Sequence, residues 1–140
     1  MSKDMKILVT GVKGQLGYDC VRELTERGYT NVKGIDIDDL DLTKELDVKK
    51  YINEYKPDVV MHNAAWTAVD KAEENIELVN KINCLAPKYI AEACNLIGAK
   101  MVYISTDYVF DGKGYKKSID FVDNNYSYPN VLSELDSIIE

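Results

Sequence analysis

Met5-Lys6-Ile7-Leu8-Val9-Thr10-Gly11-Val12-Lys13-Gly14-Gln15-Leu16-Gly17 is the stretch that decides the fold. Its first six residues make a short, mostly aliphatic run ending at a glycine, which reads as a strand buried in a parallel sheet. From Gln15 to Arg27 the apolar residues Leu16, Cys20, Val21 and Leu24 recur at helical spacing, and Gly28 supplies the stop. The glycines between strand and helix divide the work. Gly11 permits a tight turn, Gly14 lets the backbone approach a pyrophosphate, and Gly17 lets the helix pack closely on the sheet. Spaced glycines alone are a weak signal. A strand before them and a helix opening within them make a phosphate-binding loop the stronger reading.

Working outward, the same alternation continues. Asn31 to Asp36 is a second strand, and Thr43 can cap a helix with Leu46, Tyr51 and Ile52 on its inner face, ending before Pro57. Asp58 to Ala65 is a third strand. A long helical stretch follows, with Asp70 as its N-cap and Leu78, Ile82, Ile90 and Ala93 among its apolar positions; it closes at Gly98. Pro87 predicts a kink or break within it, because proline removes a helix hydrogen bond. Lys100 to Thr106 is the fourth strand. The expected fold class is α/β, a Rossmann-type doubly wound parallel sheet with right-handed crossovers.

Residues 1–112 form an NAD(P)-binding Rossmann unit in this reading. Residues 113–140 form a divergent tail, a loop followed by a short amphipathic helix from Val131 to Glu140 capped by Asn130, so the sheet is expected to be truncated. The acid expected on the adenine ribose is Asp36, close to the interval of roughly 20 residues that the dinucleotide signature requires after its last glycine. A carboxylate there favours NAD(H), since it repels a 2′-phosphate, and the cofactor expected is NAD(H) or NADP(H).

Composition narrows the function classes. A net charge of −7 argues against nucleic-acid binding, which relies on basic patches. No apolar run is long enough to span a bilayer, and the N-terminus lacks the apolar region of a signal peptide. Cys20, Cys84 and Cys94 show no metal-ligand spacing and read as free thiols, which fits the cytoplasm. No metal site is expected. His62, the one histidine, lies in an apolar strand with no acid partner nearby in sequence and reads as a packed side chain.

Four further motifs carry a family resemblance: Asp39-Leu40-Asp41-Leu42-Thr43, Pro57-Asp58-Val59-Val60, Asn63-Ala64-Ala65-Trp66-Thr67-Ala68-Val69-Asp70-Lys71-Ala72-Glu73, and Ser105-Thr106-Asp107-Tyr108-Val109-Phe110-Asp111-Gly112. With the G-x-x-G-x-x-G loop, they resemble the extended short-chain dehydrogenase/reductases, and within these the dTDP-4-dehydrorhamnose reductases, from about Lys6 to Gly112. The resemblance implies that Gly11, Gly14, Gln15, Leu16 and Gly17 surround the pyrophosphate, with Asp36 on the ribose and Asp41 and Leu42 by the adenine. It also implies that Ala64, Ala65 and Thr67 line the cofactor and that Ile104 lies near the nicotinamide ribose. Thr106 would be the active-site threonine, with Asp107 beside it facing a dTDP-sugar substrate. A homodimer is compatible with it.

Ketone reduction also needs a proton donor, and the family places Tyr-x-x-x-Lys after the Ser-Thr-Asp-Tyr motif, the lysine lowering a tyrosine pKa of about 10. Four residues beyond Tyr115, Tyr126 and Tyr128 stand Ile119, Asn130 and Leu132. The pair is absent there, and Tyr29 to Lys33 has the spacing but precedes the second strand. The expected activity by resemblance is NAD(P)H-dependent reduction of dTDP-4-dehydro-L-rhamnose, with this chain as the cofactor-binding half and inactive alone. Two other readings stay open: a non-catalytic dinucleotide-binding regulatory or scaffold subunit, and a fragment of a nucleotide-sugar epimerase or dehydratase.

Overall fold

A computed structural model describes residues 2–105. Four parallel strands, β1 (Ile7–Thr10), β2 (Val32–Ile35), β3 (Val59–His62) and β4 (Lys100–Tyr103), lie in the order β2-β1-β3-β4. Ile7 is in register with Val32 on one side and Val59 on the other, and Val59 with Lys100. β1 and β3 are buried along their whole length, which explains why both read as unbroken apolar runs.

Alternation along the strands sends Leu8, Ile35 and Val60 to one face, where they pack with Val48 and Ile52 of α2 (Glu45–Tyr55) and Ile90, Ala93 and Cys94 of the later helix. Ile7, Val9, Val59 and Met61 point to the other face and are equally buried. Right-handed crossovers require this division: the β1-to-β2 connection through α1 (Gln15–Glu26) runs one way along the sheet, and the β2-to-β3 connection through α2 runs the other. The direction in which successive strands are added therefore reverses between β1 and β3. Lys49 on α2 ties the two helices of the first face together through Glu92 at 2.7 Å, while also pairing with Glu45 of its own helix at 2.5 Å.

The doubly wound parallel sheet follows the sequence expectation, but several local assignments change. Leu46 is 81% exposed, and the inner face of α2 is instead Val48 and Ile52 with Tyr51 half-buried. Leu46 lies two positions before Val48, about 200° around the helix, so both cannot face the sheet. Thr43 does not cap α2; the cap position is Lys44, and the Thr43 hydroxyl is spent on Asp41 Oδ1 at 2.7 Å. Leu16 is exposed at the start of α1 rather than packed.

The long helix is not continuous. A 3₁₀ turn (Val69–Lys71) contains Asp70, which therefore is not the cap of the helix; α3 (Ile76–Asn80) starts after Asn75, and Leu78 within it is exposed. A π-helical turn (Lys81–Leu85) then leads into α4 (Ala86–Ile97), with Pro87 in its first turn. At Pro87 there is no break: the backbone stays helical from Asn80 through Ala86, and the irregularity is the π turn just before it, where the Ala86 N–H reaches back to Lys81 O. Gly98 closes α4 in the left-handed conformation, φ 74°, as expected.

Candidate functional site

The crevice at the C-terminal ends of β1 and β3 is where the direction of the connections reverses, the position at which open α/β sheets bind ligands. Two backbone segments form its walls: the glycine loop after β1 and the Asn63–Thr67 segment after β3.

Gly11 turns the chain with φ 74°, and its N–H donates to Ile35 O at 2.9 Å. A Cβ on Gly11 would lie 2.7 Å from Ala64 N and 2.8 Å from Ala64 Cα, so the two walls touch backbone to backbone. Gly17 serves a contact different from the one expected. Its Cβ would lie 2.2 Å from Gly11 O and 2.9 Å from Val12 Cα, so the close approach is between α1 and its own preceding loop, not the sheet. A Cβ on Gly14 would meet only Gly11 O, at 3.3 Å, which leaves the outer side of the loop open. Gly14 is the N-cap of α1 with no side-chain cap, and no acidic residue stands in the first turn. The first-turn N–H groups, including those of Gln15 and Leu16, thus keep their donors for an anion. These features suit a pyrophosphate.

Asp36 follows β2 immediately and is anchored on both oxygens. Its Oδ2 accepts the Lys13 N–H and its Oδ1 the Ile37 N–H, each at 2.8 Å. The Asp36 N–H in turn donates to Asp39 Oδ2 at 2.9 Å. Sequence reasoning places Asp36 near the loop only by spacing; the bond to Lys13 makes it part of the loop. Asp41 accepts both the N–H and the hydroxyl of Thr43, which hold its carboxyl below the usual range. Leu42 is half-buried against the edge of the core.

On the opposite wall, Ala64 is half-buried, and Ala65 and Thr67 are exposed. Thr10 and His62 support this wall from below. Thr10 Oγ1 accepts the Ala64 N–H at 3.4 Å and shares a 2.8 Å hydrogen bond with His62 Nδ1. His62 is buried and stacked on Tyr103 with ring centroids 5.5 Å apart, and burial pushes its pKa down to about 4. It is a neutral packed side chain, as the sequence suggested. Ile104 is exposed just after β4. Thr106 and Asp107 lie outside the described residues.

The sequence reading missed Asn83. Its carboxamide grips the backbone of Trp66 at two points: Oδ1 accepts the Trp66 N–H at 2.8 Å, and Nδ2 donates to Trp66 O at 3.1 Å. Asn83 sits in the π-helical turn, and Tyr103 OH donates to its carbonyl at 3.3 Å. A π turn often marks a functional site, and here it carries the residue that fixes the second wall. An asparagine just ahead of Pro87 was the available signal, but its partner lies 17 residues away.

A profile of the family described as RmlD substrate binding domain matches residues 5–130, beyond the Gly112 limit of the motifs. A dTDP-4-dehydrorhamnose reductase from Streptomyces griseus is 41% identical over 107 residues, covering 76% of this chain and 35% of the relative. Among solved structures, a dTDP-4-dehydrorhamnose reductase from Clostridium acetobutylicum superposes with a TM-score of 0.74 at 50% identity, covering 78% of this chain and 39% of that one. The enzyme of that name from Bacillus anthracis, solved in complex with NADP, gives 0.72 at 40% identity, covering 77% and 38%. The chain thus spans about two-fifths of the length of these relatives.

Proposed function

The chain belongs to the RmlD substrate binding domain family, and on that premise we propose that it is the cofactor-binding part of an NAD(P)H-dependent dTDP-4-dehydrorhamnose reductase. The reaction is reduction of the C4 ketone of dTDP-4-dehydro-L-rhamnose to dTDP-L-rhamnose. One observation carries the reading: the glycine loop and the Ala64 segment meet backbone to backbone at the reversal point of the sheet, with the open side of Gly14 and an uncapped helix N-terminus facing outward.

In this reading residues 1–112 are the binding unit. Gly11, Gly14, Gln15, Leu16 and Gly17 surround the pyrophosphate, where backbone N–H groups and the positive helix end offset its charge. Asp36 takes the adenine-ribose hydroxyl, and Asp41 and Leu42 border the adenine. Ala64, Ala65 and Thr67 line the dinucleotide, small side chains leaving it room, and Ile104 stands by the nicotinamide ribose. Thr106 and Asp107 meet the sugar nucleotide. The bound cofactor supplies the hydride. The proton must come from a side chain, and these 140 residues contain no Tyr-x-x-x-Lys after Gly112. The chain is therefore proposed to bind dinucleotide without turnover by itself, which also suits the reading as a non-catalytic dinucleotide-binding subunit. Three unpaired thiols, Cys20, Cys84 and Cys94, suit the cytoplasm.

Melting the chain with and without NADH and NADPH tests the binding claim. A ligand at 100 times its Kd adds about 2.7 kcal/mol, and no shift with either cofactor refutes it. NADH oxidation with the keto-sugar should stay at background, and turnover by this chain would refute the inactive-alone reading.

A further inference from the structure

Among the described residues, the two most exposed large apolar side chains are Leu46 at 81% and Leu96 at 78%. Both stand on the outer face of the α2–α4 pair. Between these helices runs a groove of about 500 Å³, floored by Asn53, Ala93 and Ile97, with Lys49, Lys50 and Leu96 along its sides. Leu46 extends that stripe one turn back along α2, at the spacing that keeps residues 46, 50 and 53 on one helix face. Each helix leads from the C-terminal end of one parallel strand to the N-terminal end of the next, so the two point the same way. The Lys49–Glu92 pair sets residue 49 of α2 level with residue 92 of α4. One turn earlier, Glu45 is level with Lys88. The two helices thus carry opposite charges at each level, and Leu46 and Leu96 lie roughly 10 Å apart along the groove.

We propose that this face binds a second copy of the chain about a two-fold axis that runs along the groove. Such an axis lays α2 of one copy over α4 of the other, in the same direction and at the same levels. Glu45 then meets Lys88 of the second copy, and Lys49 meets its Glu92. Leu46 faces its own counterpart across the axis at one end of the groove, and Leu96 faces its counterpart at the other. The leucines supply the affinity, because ion pairs this exposed are weak; the charges select the partner and the register. That selection is what points to a second copy. Two chains of net charge −7 repel over most of their surfaces, whereas Glu45, Lys49, Lys50, Lys88 and Glu92 are close to balance and match themselves when turned. Helices of 11 and 12 residues offer roughly 500 Å² per copy, the low end of specific interfaces, so the dimer is a weak one that dissociates on dilution.

The test is sedimentation equilibrium of the full chain from about 10 μM to 1 mM, a range that brackets a Kd on the order of 100 μM, as expected of so small an interface. Wild type should pass from monomer to dimer within it. Leu96→Glu and Leu96→Lys should each stay monomeric, since either sets two like charges against each other across the axis. An equimolar mixture of the two variants should dimerise again, because residue 96 of one copy then meets the opposite charge on residue 96 of the other. Leu96 is exposed, so both variants should melt within a few degrees of wild type. A wild type that is monomeric throughout overturns the proposal. So does self-association that persists in Leu96→Glu, which would put the contact elsewhere, or a mixture that stays monomeric, which would exclude the two-fold. Monomers throughout, with both variants melting far below wild type, would mean that the face is covered within the chain itself, and overturn it too.

Discussion

Protonation of His62 should destabilise the fold from beneath the crevice between β1 and β3. It is the single histidine of the chain, 1% exposed, bonded through Nδ1 to Thr10 and stacked on Tyr103. Its Nε2 has no partner among the described residues. Burial in this setting penalises the imidazolium and brings the pKa from 6.5 down to about 4. Above pH 6.5 the folded and unfolded chains are both neutral at this residue, and its stabilising share is complete. Below 6.5 the unfolded chain takes up a proton that the folded chain refuses. Stability then falls with pH and the share is gone once pH passes about 4. Integrated over that window, the loss is roughly 3 kcal/mol, a sizeable part of the stability of a small domain. Urea unfolding at half-unit pH steps should show this decline, and His62→Gln should remove it while leaving the acid loss from carboxylates such as Asp41. The imidazole C–H resonances in the folded protein give the direct reading. A folded-state histidine titrating near 6.5 would refute the reasoning, because the burial that drives the shift would then be absent.

Three further substitutions probe the backbone. Gly17→Ala should gain about 1 kcal/mol of helix propensity but lose more, since its Cβ would fall 2.2 Å from Gly11 O and overpacking costs ~1–3 kcal/mol; chemical denaturation should show net destabilisation and calorimetry weaker NADH binding, whereas Gly28→Ala, with nothing within 4 Å, should cost stability but leave binding unchanged. Lys56 ends α2 at φ 50°, a conformation that disfavours any side chain, so Lys56→Gly should stabilise by about 0.5–1 kcal/mol in the same denaturation assay; a loss of stability would contradict it.

Local signals made the sheet and the glycine loop legible. An aliphatic run, a turn that demands glycine and a helix period are written in neighbouring residues, and so are stops such as Gly28 and Gly98. The errors fell where the answer depends on distant partners. Leu46 and Val48 are both apolar, and only the position of β1 and α4 decides which of them faces inward. Thr43 looks like a cap until Asp41 claims its hydroxyl. Beyond its place ahead of Pro87, Asn83 gives no hint that its carboxamide holds Trp66, and Lys13 gives none that Asp38 holds its ammonium. The roles of Thr106 and Asp107 rest on motif likeness alone.

The strand order has a consequence for how the site comes into being. β1 is flanked by β2 and β3, and its partner in β3 is 52 residues downstream, Ile7 against Val59 and Thr10 against His62. A growing polypeptide can therefore close the β1-α1-β2 unit early, glycine loop included, yet it has no second wall until the residues after β3 have been made. Pairing across that distance must overcome a large loop-closure entropy before Ala64 can seat against Gly11. The pocket should thus be among the last features to mature during synthesis. A nascent chain halted before Val59 would carry the glycine loop but not the Ala64 wall that meets it.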